Sequence, residues 1–183
     1  MFELRDCAIP GCREIRPKAL IDARGQFVKI FHAETFEGLG VETNFPEQFY
    51  TTSKQGVIRG LHFQAPPMDQ TKVVFCVSGS VLDVVVDLRV GSPTYGHHVR
   101  FQLDADKPCA IYIPSGLAHG FCVLGSSATL MYMVSRSYAP QCDDGIAWNS
   151  AGIQWPVSAP ILSERDRGLM PLADYRSPFV YGL

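Results

Sequence analysis

The feature that most constrains the fold is a succession of short strand-like segments with little helix between them. The clearest runs are residues 27–31, 72–77, 81–88, 97–103, 110–113, 119–123 and 129–135. Gly, Pro, Asn, Asp or Ser separate many of these runs, which recur at about 8–12-residue spacing. The best helix candidate is a short stretch over residues 33–37 that Gly38 closes. Many short strands at this spacing predict an all-β sandwich or barrel.

Two further patterns refine this prediction. The runs at 72–77 and 81–88 are joined by Ser-Gly-Ser at 78–80, which is typical of a β-hairpin with a glycine turn. After Tyr138 the chain becomes rich in Pro, Gly, Asp and Ser, and this favours a tail of loops and a short helix packed on the barrel. At 183 residues, we expect one domain over residues 1–183.

Charge and cysteine content narrow the class of protein. The net charge of -2 gives no global field for nucleic acid or an anionic membrane. We find neither a signal-peptide pattern near the start nor an apolar run of the roughly 18 residues that span a bilayer. The six cysteines form no Cys-x-x-Cys pair, and Cys76, Cys109 and Cys122 lie in apolar runs as expected for buried free thiols. We therefore expect a reducing, cytoplasmic location.

Two histidines lie in segments that mix imidazole with glycine and aromatic neighbours. His62 stands in RGLHFQ at 59–64, and His119 stands in PSGLAHGF at 114–121. The second segment matches the second half-motif of cupin barrels, whereas the first lacks the His-x-His of the first half-motif. Two histidines are fewer than the three or four ligands that a stable transition-metal site usually needs. We therefore expect no bound metal, and the proton-transfer chemistry considered next needs no cofactor.

Proton transfer is the alternative chemistry, since histidine is a natural general base for a carbon acid. Such a base needs an acidic partner, and Asp83, Asp87 and Asp166 are the candidates, with Asp83 favoured by its place in an apolar strand. Lys72 could stabilise an enolate, and Tyr132 could return a proton to the opposite face of a carbon. Each of these residues, taken alone, also fits a purely structural role. The residue types and their spacing therefore predict no more than a β-barrel with a polar interior suited to acid–base chemistry.

The chain resembles the dTDP-4-dehydrorhamnose 3,5-epimerase family, a metal-free group of cupins. The resemblance runs from about residue 22 to residue 171. Its ordered markers are DARGQF at 22–27, GVIRGLHFQ at 56–64, QTKVV at 70–74, GSVLDVVVDLRVGSPTYG at 79–96, IPSGLAHGF at 113–121, YAP at 138–140, GIAWN at 145–149 and ILSERD at 161–166. The resemblance implies a cupin-type jelly-roll barrel with short helical and loop elements at the C-terminus. It also implies an isomerase of deoxysugar and polysaccharide biosynthesis, whose substrate is a dTDP-linked 4-keto-6-deoxyhexose.

The same resemblance implies roles for individual residues. His62 would remove a proton from C3 or C5 and Asp166 would pair with it, which leaves Asp83 a structural acid. Lys72 would stabilise the enolate, and Tyr132 would deliver a proton to the far face. The implied substrate-binding residues are Arg24, Phe27, Gln48, Arg59, His119 and Tyr138. Family members are homodimers that lend an N-terminal segment across the interface, so that Arg24 could serve the partner's site.

The sequence departs from the family pattern near the expected ligand-binding rim. Lys29 replaces an acid, Phe49 and Tyr50 follow Gln48 where the family has Asp-Asn, and Ser150 replaces an aspartate. These changes favour retained chemistry with an altered nucleotide, sugar or choice of carbon. Three alternatives stay open: a C3-only or C5-only epimerase, a metal-dependent cupin enzyme, and a non-catalytic sugar-nucleotide binding barrel.

Overall fold

The computed structural model describes residues 2–182, whose regular structure is mostly short strands. The strands are β1 (Phe2–Asp6), β2 (Arg13–Pro17), β3 (Ala19–Asp22), β4 (Gly25–Val28), β5 (Glu47–Lys54), β6 (Ile58–Gln64), β7 (Lys72–Ser78), β8 (Ser80–Asp87), β9 (His98–Asp104), β10 (Ala110–Ile113), β11 (Leu117–Val123), β12 (Ser127–Val134) and β13 (Asp143–Gly145). The helices are α1 (Ala33–Gly38), α2 (Glu164–Arg167) and a 3₁₀ turn at Leu172–Asp174.

Two antiparallel sheets form the body of the molecule. The first has six strands in the order β1-β2-β10-β7-β12-β5, and the second has five in the order β13-β6-β11-β8-β9. Strands β3 and β4 form a separate two-stranded ribbon. From β5 to β13 the chain passes from one sheet to the other at every step except between β8 and β9, which are neighbours in the five-stranded sheet. This arrangement is the cupin-like jelly-roll fold, and it confirms the predicted all-β class.

Apolar side chains fill three layers, because both faces of both sheets are covered. The central cluster lies between the sheets and includes Val74, Leu130, Val85 and Phe121. A second cluster forms where the C-terminal tail covers the outer face of the five-stranded sheet. A third forms around Phe36 of α1 on the outer face of the six-stranded sheet. This double coverage explains why β8 reads as a nearly continuous apolar run rather than an alternating one.

The predicted hairpin at residues 72–88 is wrong. The two segments are strands, β7 and β8, but β7 pairs with β10 and β12, whereas β8 pairs with β9 and β11. Gly79 therefore carries the chain from one sheet to the other. A Cβ at Gly79 would lie 2.1 Å from the Ser127 carbonyl oxygen, so this crossing has no space for a side chain.

The other local predictions hold with shifted boundaries. The segment predicted as a strand at 27–31 is correct only as far as Val28, where β4 ends, because the chain then turns towards α1. Helix α1 matches the candidate at 33–37 with one more residue. The tail consists of loops with the short helix α2, as expected.

Candidate active site

A cavity of about 370 Å³ opens between the two sheets at one end of the sandwich. Its lining comes from β6 and β11 of one sheet, from β5, β7 and β12 of the other, and from the tail. The lining residues are Glu47, Phe49, Thr51, Arg59, His62, Phe63, Gln64, Gln70, Lys72, His119, Phe121, Tyr132, Val134, Tyr138, Asp143 and Arg165. Every residue predicted to be catalytic except Asp166 is in this set, and Asp166 lies directly behind it.

The two histidines lie side by side on one side of the cavity. His62 of β6 and His119 of β11 are direct partners in the antiparallel ladder, so their side chains share a face. The register shifts between His119 and Phe121, where the strands approach closely. A Cβ at Gly60 would lie 2.6 Å from the Gly120 Cα, so glycine is required for this approach.

Asp166 fixes the orientation of His62. The His62 Nε2 lies 2.6 Å from the Asp166 Oδ1, and the carboxylate side chain is only 3% exposed. The pKa of Asp166 reflects opposing effects: burial raises it, but the hydrogen bond and charge of His62, together with hydrogen bonds involving Gly60 and Ser163, hold it below its usual value. With Nε2 bonded to a carboxylate, Nδ1 is the ring nitrogen free to take a proton.

The tail brings Asp166 to this position from 104 residues away. Ile161 forms a bridge to Val57 and exchanges backbone hydrogen bonds with the start of β6. Ser163 then caps α2, since its hydroxyl accepts a hydrogen bond from the Asp166 N–H at 3.0 Å. Asp166 is the buried residue of this one-turn helix and points at β6.

His119 forms a second His–Asp pair beside the first. Its Nε2 lies 2.7 Å from the Asp83 Oδ2, and both residues are buried. Asp83, favoured from spacing as the partner of the catalytic histidine, therefore supports His119, which agrees with the structural role that the resemblance implied. Asp87 is also paired, through two hydrogen bonds from Arg89 at 2.9 Å, but outside the cavity.

Lys72 reaches across the cavity floor from the other sheet. Its Nζ donates a hydrogen bond to the His62 carbonyl oxygen at 3.2 Å. Desolvation lowers the pKa of Lys72 to about 8, against the opposing effect of the Asp143 carboxylate. The ammonium is therefore a desolvated cation bound to the backbone of His62, and not the surface lysine that its strand-end position alone would suggest.

Tyr132 of β12 faces the histidines from the six-stranded sheet. Its ring lies edge-on to His119, with 6.1 Å between centroids, and stacks on Phe49 of β5. Burial, with a smaller effect from the Asp83 carboxylate, raises the pKa of Tyr132 well above its usual value. The phenol therefore keeps its proton at neutral pH.

The cavity rim is polar and partly exposed. Arg59 is held by a hydrogen bond from its Nε to the Ser53 Oγ at 2.9 Å. The Tyr138 ring is 59% exposed at the rim, and its hydroxyl donates to the Asp143 carboxylate. Arg165 donates to the other oxygen of Asp143 at 2.8 Å. The rim therefore offers two guanidinium groups and an exposed aromatic face.

Three predicted substrate-binding residues lie outside the cavity of this chain. Arg24 and Phe27 belong to the exposed β3–β4 ribbon, where Arg24 pairs with Asp22. Gln48 does not line the cavity: successive side chains of β5 alternate, so that Glu47 and Phe49 face the cavity and Gln48 points to the other face.

Sequence reasoning missed Glu47, Asp143 and Arg165. Glu47 accepts a hydrogen bond from the Tyr138 N–H at 2.7 Å, and Arg165 and Asp143 form the ion pair described above. The alternation of β5 could have indicated Glu47. The pair of Arg165 and Asp143 had no sequence signal, since it joins a loop strand to the tail across 22 residues.

The described residues contain neither a metal-binding cluster nor a membrane-spanning helix. Within residues 2–182, no group of three or more His, Cys, Asp or Glu side chains is arranged to hold a metal ion. The six cysteines are free thiols. No helix in the described part of the chain has the length and apolar character needed to cross a membrane.

Comparison with known proteins places this fold and site in one class, the sugar-nucleotide epimerases with a jelly-roll fold. A family model described as dTDP-4-dehydrorhamnose 3,5-epimerase matches residues 6–174. The chain belongs to the dTDP-4-dehydrorhamnose 3,5-epimerase family, and it is an isomerase of the epimerase class.

Three relatives illustrate the likeness. The dTDP-4-dehydrorhamnose 3-epimerase of Streptomyces niveus is 41% identical over 96% of this chain and 86% of its own length. The dTDP-4-dehydrorhamnose 3,5-epimerase of Shigella flexneri is 41% identical over 86% of this chain and 89% of its own length. The crystal structure of a Legionella pneumophila dTDP-6-deoxy-D-glucose-3,5-epimerase in complex with dTDP-4-keto-L-rhamnose has a TM-score of 0.92 at 33% identity, covering 96% of this chain and 95% of that one.

Proposed function

We propose that this enzyme inverts a dTDP-linked 4-keto-6-deoxyhexose at C3, C5 or both, by proton transfer between His62 and Tyr132. One observation carries the proposal: the His62–Asp166 pair and the Tyr132 phenol lie on opposite sides of one open cavity. Inversion needs removal and return of a proton on opposite faces of the carbon, because a single base would only return its proton to the same face.

The first step is removal of a proton beside the ketone. His62 takes the proton through Nδ1, the C–H bond breaks, and its electron pair passes through C4 to the oxygen to form an enolate. Asp166 stabilises the imidazolium through the hydrogen bond at 2.6 Å. The Lys72 ammonium stabilises the negative oxygen, and a desolvated cation does this more strongly than a hydrated one.

The second step is protonation from the other face. Tyr132 donates its phenolic proton to the carbon, the enolate electron pair forms the new C–H bond, and the C4 ketone is restored. The raised pKa of Tyr132 suits this role, since the group arrives protonated. The proton on His62 is then lost to solvent, and the phenolate is reprotonated before the next turnover.

The rim supports binding of the nucleotide part. The guanidinium of Arg59 matches diphosphate oxygens, and His119 lies close enough to contribute a second polar contact to the sugar or diphosphate. The exposed ring of Tyr138 offers a stacking surface for the base. The ligand named for the Legionella structure, dTDP-4-keto-L-rhamnose, supports a dTDP-linked substrate.

The proposal includes a homodimer, in one domain per chain, that works in the cytoplasm without metal or cofactor. The β3–β4 ribbon supports the dimer, because three of its apolar side chains are largely exposed: Leu20 is 55%, Ile21 79% and Phe27 61% exposed. In such a dimer the ribbon would carry Arg24 and Phe27 to the cavity of the partner subunit.

A heavy-water assay with dTDP-4-keto-6-deoxyglucose tests the function. We expect the product to carry deuterium at an inverted carbon by NMR, with rates unchanged after treatment with a chelator. Label at both C3 and C5 would support a 3,5-epimerase, and label at one carbon would support the one-carbon alternative, which the name of the Streptomyces niveus relative favours. Binding without exchange would contradict epimerisation, and loss of activity on chelation would indicate a metal-dependent enzyme.

A further inference from the structure

Phe49 is an aromatic residue on the cavity surface rather than in the core. It is 41% exposed and lies outside all three core clusters. Strand β5 turns Phe49 to the cavity side together with Thr51, whereas Tyr50 lies on the other face. Packing of the core therefore does not explain a phenylalanine here.

The contact that Phe49 makes is a parallel stack on Tyr132. The ring centroids are 4.7 Å apart and the ring planes differ by 11°. The two residues are direct partners in the β12–β5 ladder. Side chains that are directly opposite in an antiparallel pair have Cβ atoms about 4.5–5.5 Å apart, so the strand register itself imposes the stack.

A second ring also restricts Tyr132. His119 lies edge-on at 6.1 Å, and Asp83 holds the His119 ring in place. The hydroxyl of Thr51, on the same face of β5, lies close enough to the phenol to lower the pKa of Tyr132, although the buried Thr51 Oγ1 has no hydrogen-bond partner of normal geometry within residues 2–182. The stacked Phe49 ring and the edge-on His119 ring therefore restrict the orientation of the Tyr132 ring, with Thr51 beside its hydroxyl.

We propose that Phe49 is a positioning residue for Tyr132: the stack holds the phenol so that its hydroxyl points at the substrate carbon from the face opposite His62. This inference rests on the proposed function. Phe49 is on β5, whereas His62 and Asp166 are held by β6 and the tail, so the stack acts on proton return and leaves proton removal intact. Without the stack, His62 would more often return the proton to its original face.

Phe49→Leu separates the two steps. In heavy water with dTDP-4-keto-6-deoxyglucose, we expect inversion to fall on the order of tenfold to a hundredfold, because misplacement of a reacting group by about 1 Å has effects of this size. We expect the rate of hydrogen exchange to change by less than about twofold, so that label accumulates in substrate of unchanged configuration. Phe49→Tyr and Phe49→Trp, which keep a flat ring, should restore the ratio of inversion to exchange.

Tyr95→Leu is a matched control. Tyr95 is 40% exposed, close to the 41% of Phe49, but it lies in the turn before β9 and does not line the cavity. Loss of the Tyr95 ring should leave the ratio of inversion to hydrogen exchange unchanged. An equal fall of exchange and inversion in Phe49→Leu, or an unchanged ratio, would overturn the proposed positioning role.

A crystal structure of Phe49→Leu tests the stack independently of the reaction. We expect more than one orientation of the Tyr132 ring in this variant and a single orientation in Phe49→Tyr. A single, unchanged orientation in Phe49→Leu would contradict the inference even if the substrate were a different sugar. Absence of exchange and inversion in the unmodified enzyme would instead count against the proposed function.

Discussion

At the scale of single residues, burial sets the protonation states that the proposed reaction needs. Desolvation moves the pKa of Lys72 down and that of Tyr132 up, while His62 and its neighbours outweigh burial at Asp166 and keep that pKa low. In the proposed reaction, this cavity would therefore supply an anion behind the base, a cation for the enolate oxygen and a neutral acid on the opposite side. Desolvation disfavours the charged form of all three groups, and only at Asp166 do hydrogen bonds and the neighbouring imidazole outweigh it.

Tyr132→Phe removes the proposed acid and keeps the ring stacked on Phe49. We expect inversion to fall on the order of a hundredfold or more, as for removal of a general acid, while exchange through His62 persists. Heavy-water NMR measures both rates in one sample. Equal loss of inversion and exchange would contradict the assignment of Tyr132 as the acid.

The pH dependence of kcat/KM tests the role of Lys72. The ordinary pKa is 10.5 and burial lowers it to about 8, so the free enzyme loses this ammonium as the pH rises through about 8. If the charged form stabilises the enolate, kcat/KM should fall above that pH. In Lys72→Arg, whose cation stays charged, the fall near pH 8 should disappear, with lower activity overall. A fall that persists in Lys72→Arg would assign it to another group.

At the scale of elements, the close pairing of β6 with β11 positions both histidines. Two glycines permit it: a Cβ at Gly120 would lie 2.6 Å from the Arg59 carbonyl oxygen, and Gly60 faces Gly120 from the other strand. Because the contact is with backbone, a side chain at either position would push the strands apart.

Gly120→Ala should therefore destabilise the fold by about 1–3 kcal/mol, the usual effect of overpacking a dense interior. It should also lower activity, since His62 and His119 lie on the displaced strands. Urea unfolding at a fixed protein concentration measures the first effect. Gly125→Ala is the control, because the nearest atom to its added Cβ would be the Ser80 Oγ at 4.0 Å. Equal stability of the two variants would contradict the steric argument.

The sequence predicts strands better than their pairing. The runs at 72–77 and 81–88 are strands, but the choice between a hairpin and a crossing to the other sheet depends on contacts of Gly79 with Ser127, 48 positions further along the chain. Alternating and apolar runs indicate which side chains are buried, but they do not indicate which strands pair with one another.

In the candidate site, too, local sequence predicts individual residues better than it predicts the contacts between distant ones. The residues near His62 in the motif, and Lys72 at the start of β7, could be selected from local pattern and chemistry. The partner of His62 cannot be selected in this way, since Asp83 and Asp166 are both candidates. Only the family resemblance favours Asp166, because a tail that packs on the barrel has no periodic sequence pattern. Whether Glu47 or Gln48 faces the cavity depends on the register of β5. The alternation of side chains fixes this register only when the buried face is known.

At the scale of the whole molecule, the exposed β3–β4 ribbon separates Arg24 from the cavity of its own chain. Its apolar side chains favour burial against a second subunit. In the proposed dimer, each active site would combine His62 of one chain with Arg24 of the other.

Subunit mixing tests this arrangement. Arg24→Ala and His62→Ala chains should each have low activity alone, whereas a mixed dimer contains one site with both native residues. Co-expression in equal amounts should restore about a quarter of the unmodified activity, since half of the dimers are mixed and each has one intact site. Activity no higher than the mean of the two parents would place Arg24 in its own chain's site or outside the reaction.

The most direct measurement is hydrogen exchange from dTDP-4-keto-6-deoxyglucose in heavy water with His62→Ala, beside His97→Ala as an exposed histidine outside the cavity. Circular dichroism would check that both variants keep the fold. We expect His62→Ala to abolish deuterium uptake at both C3 and C5, and His97→Ala to exchange like the unmodified enzyme. Full exchange in folded His62→Ala would show that another group removes the proton.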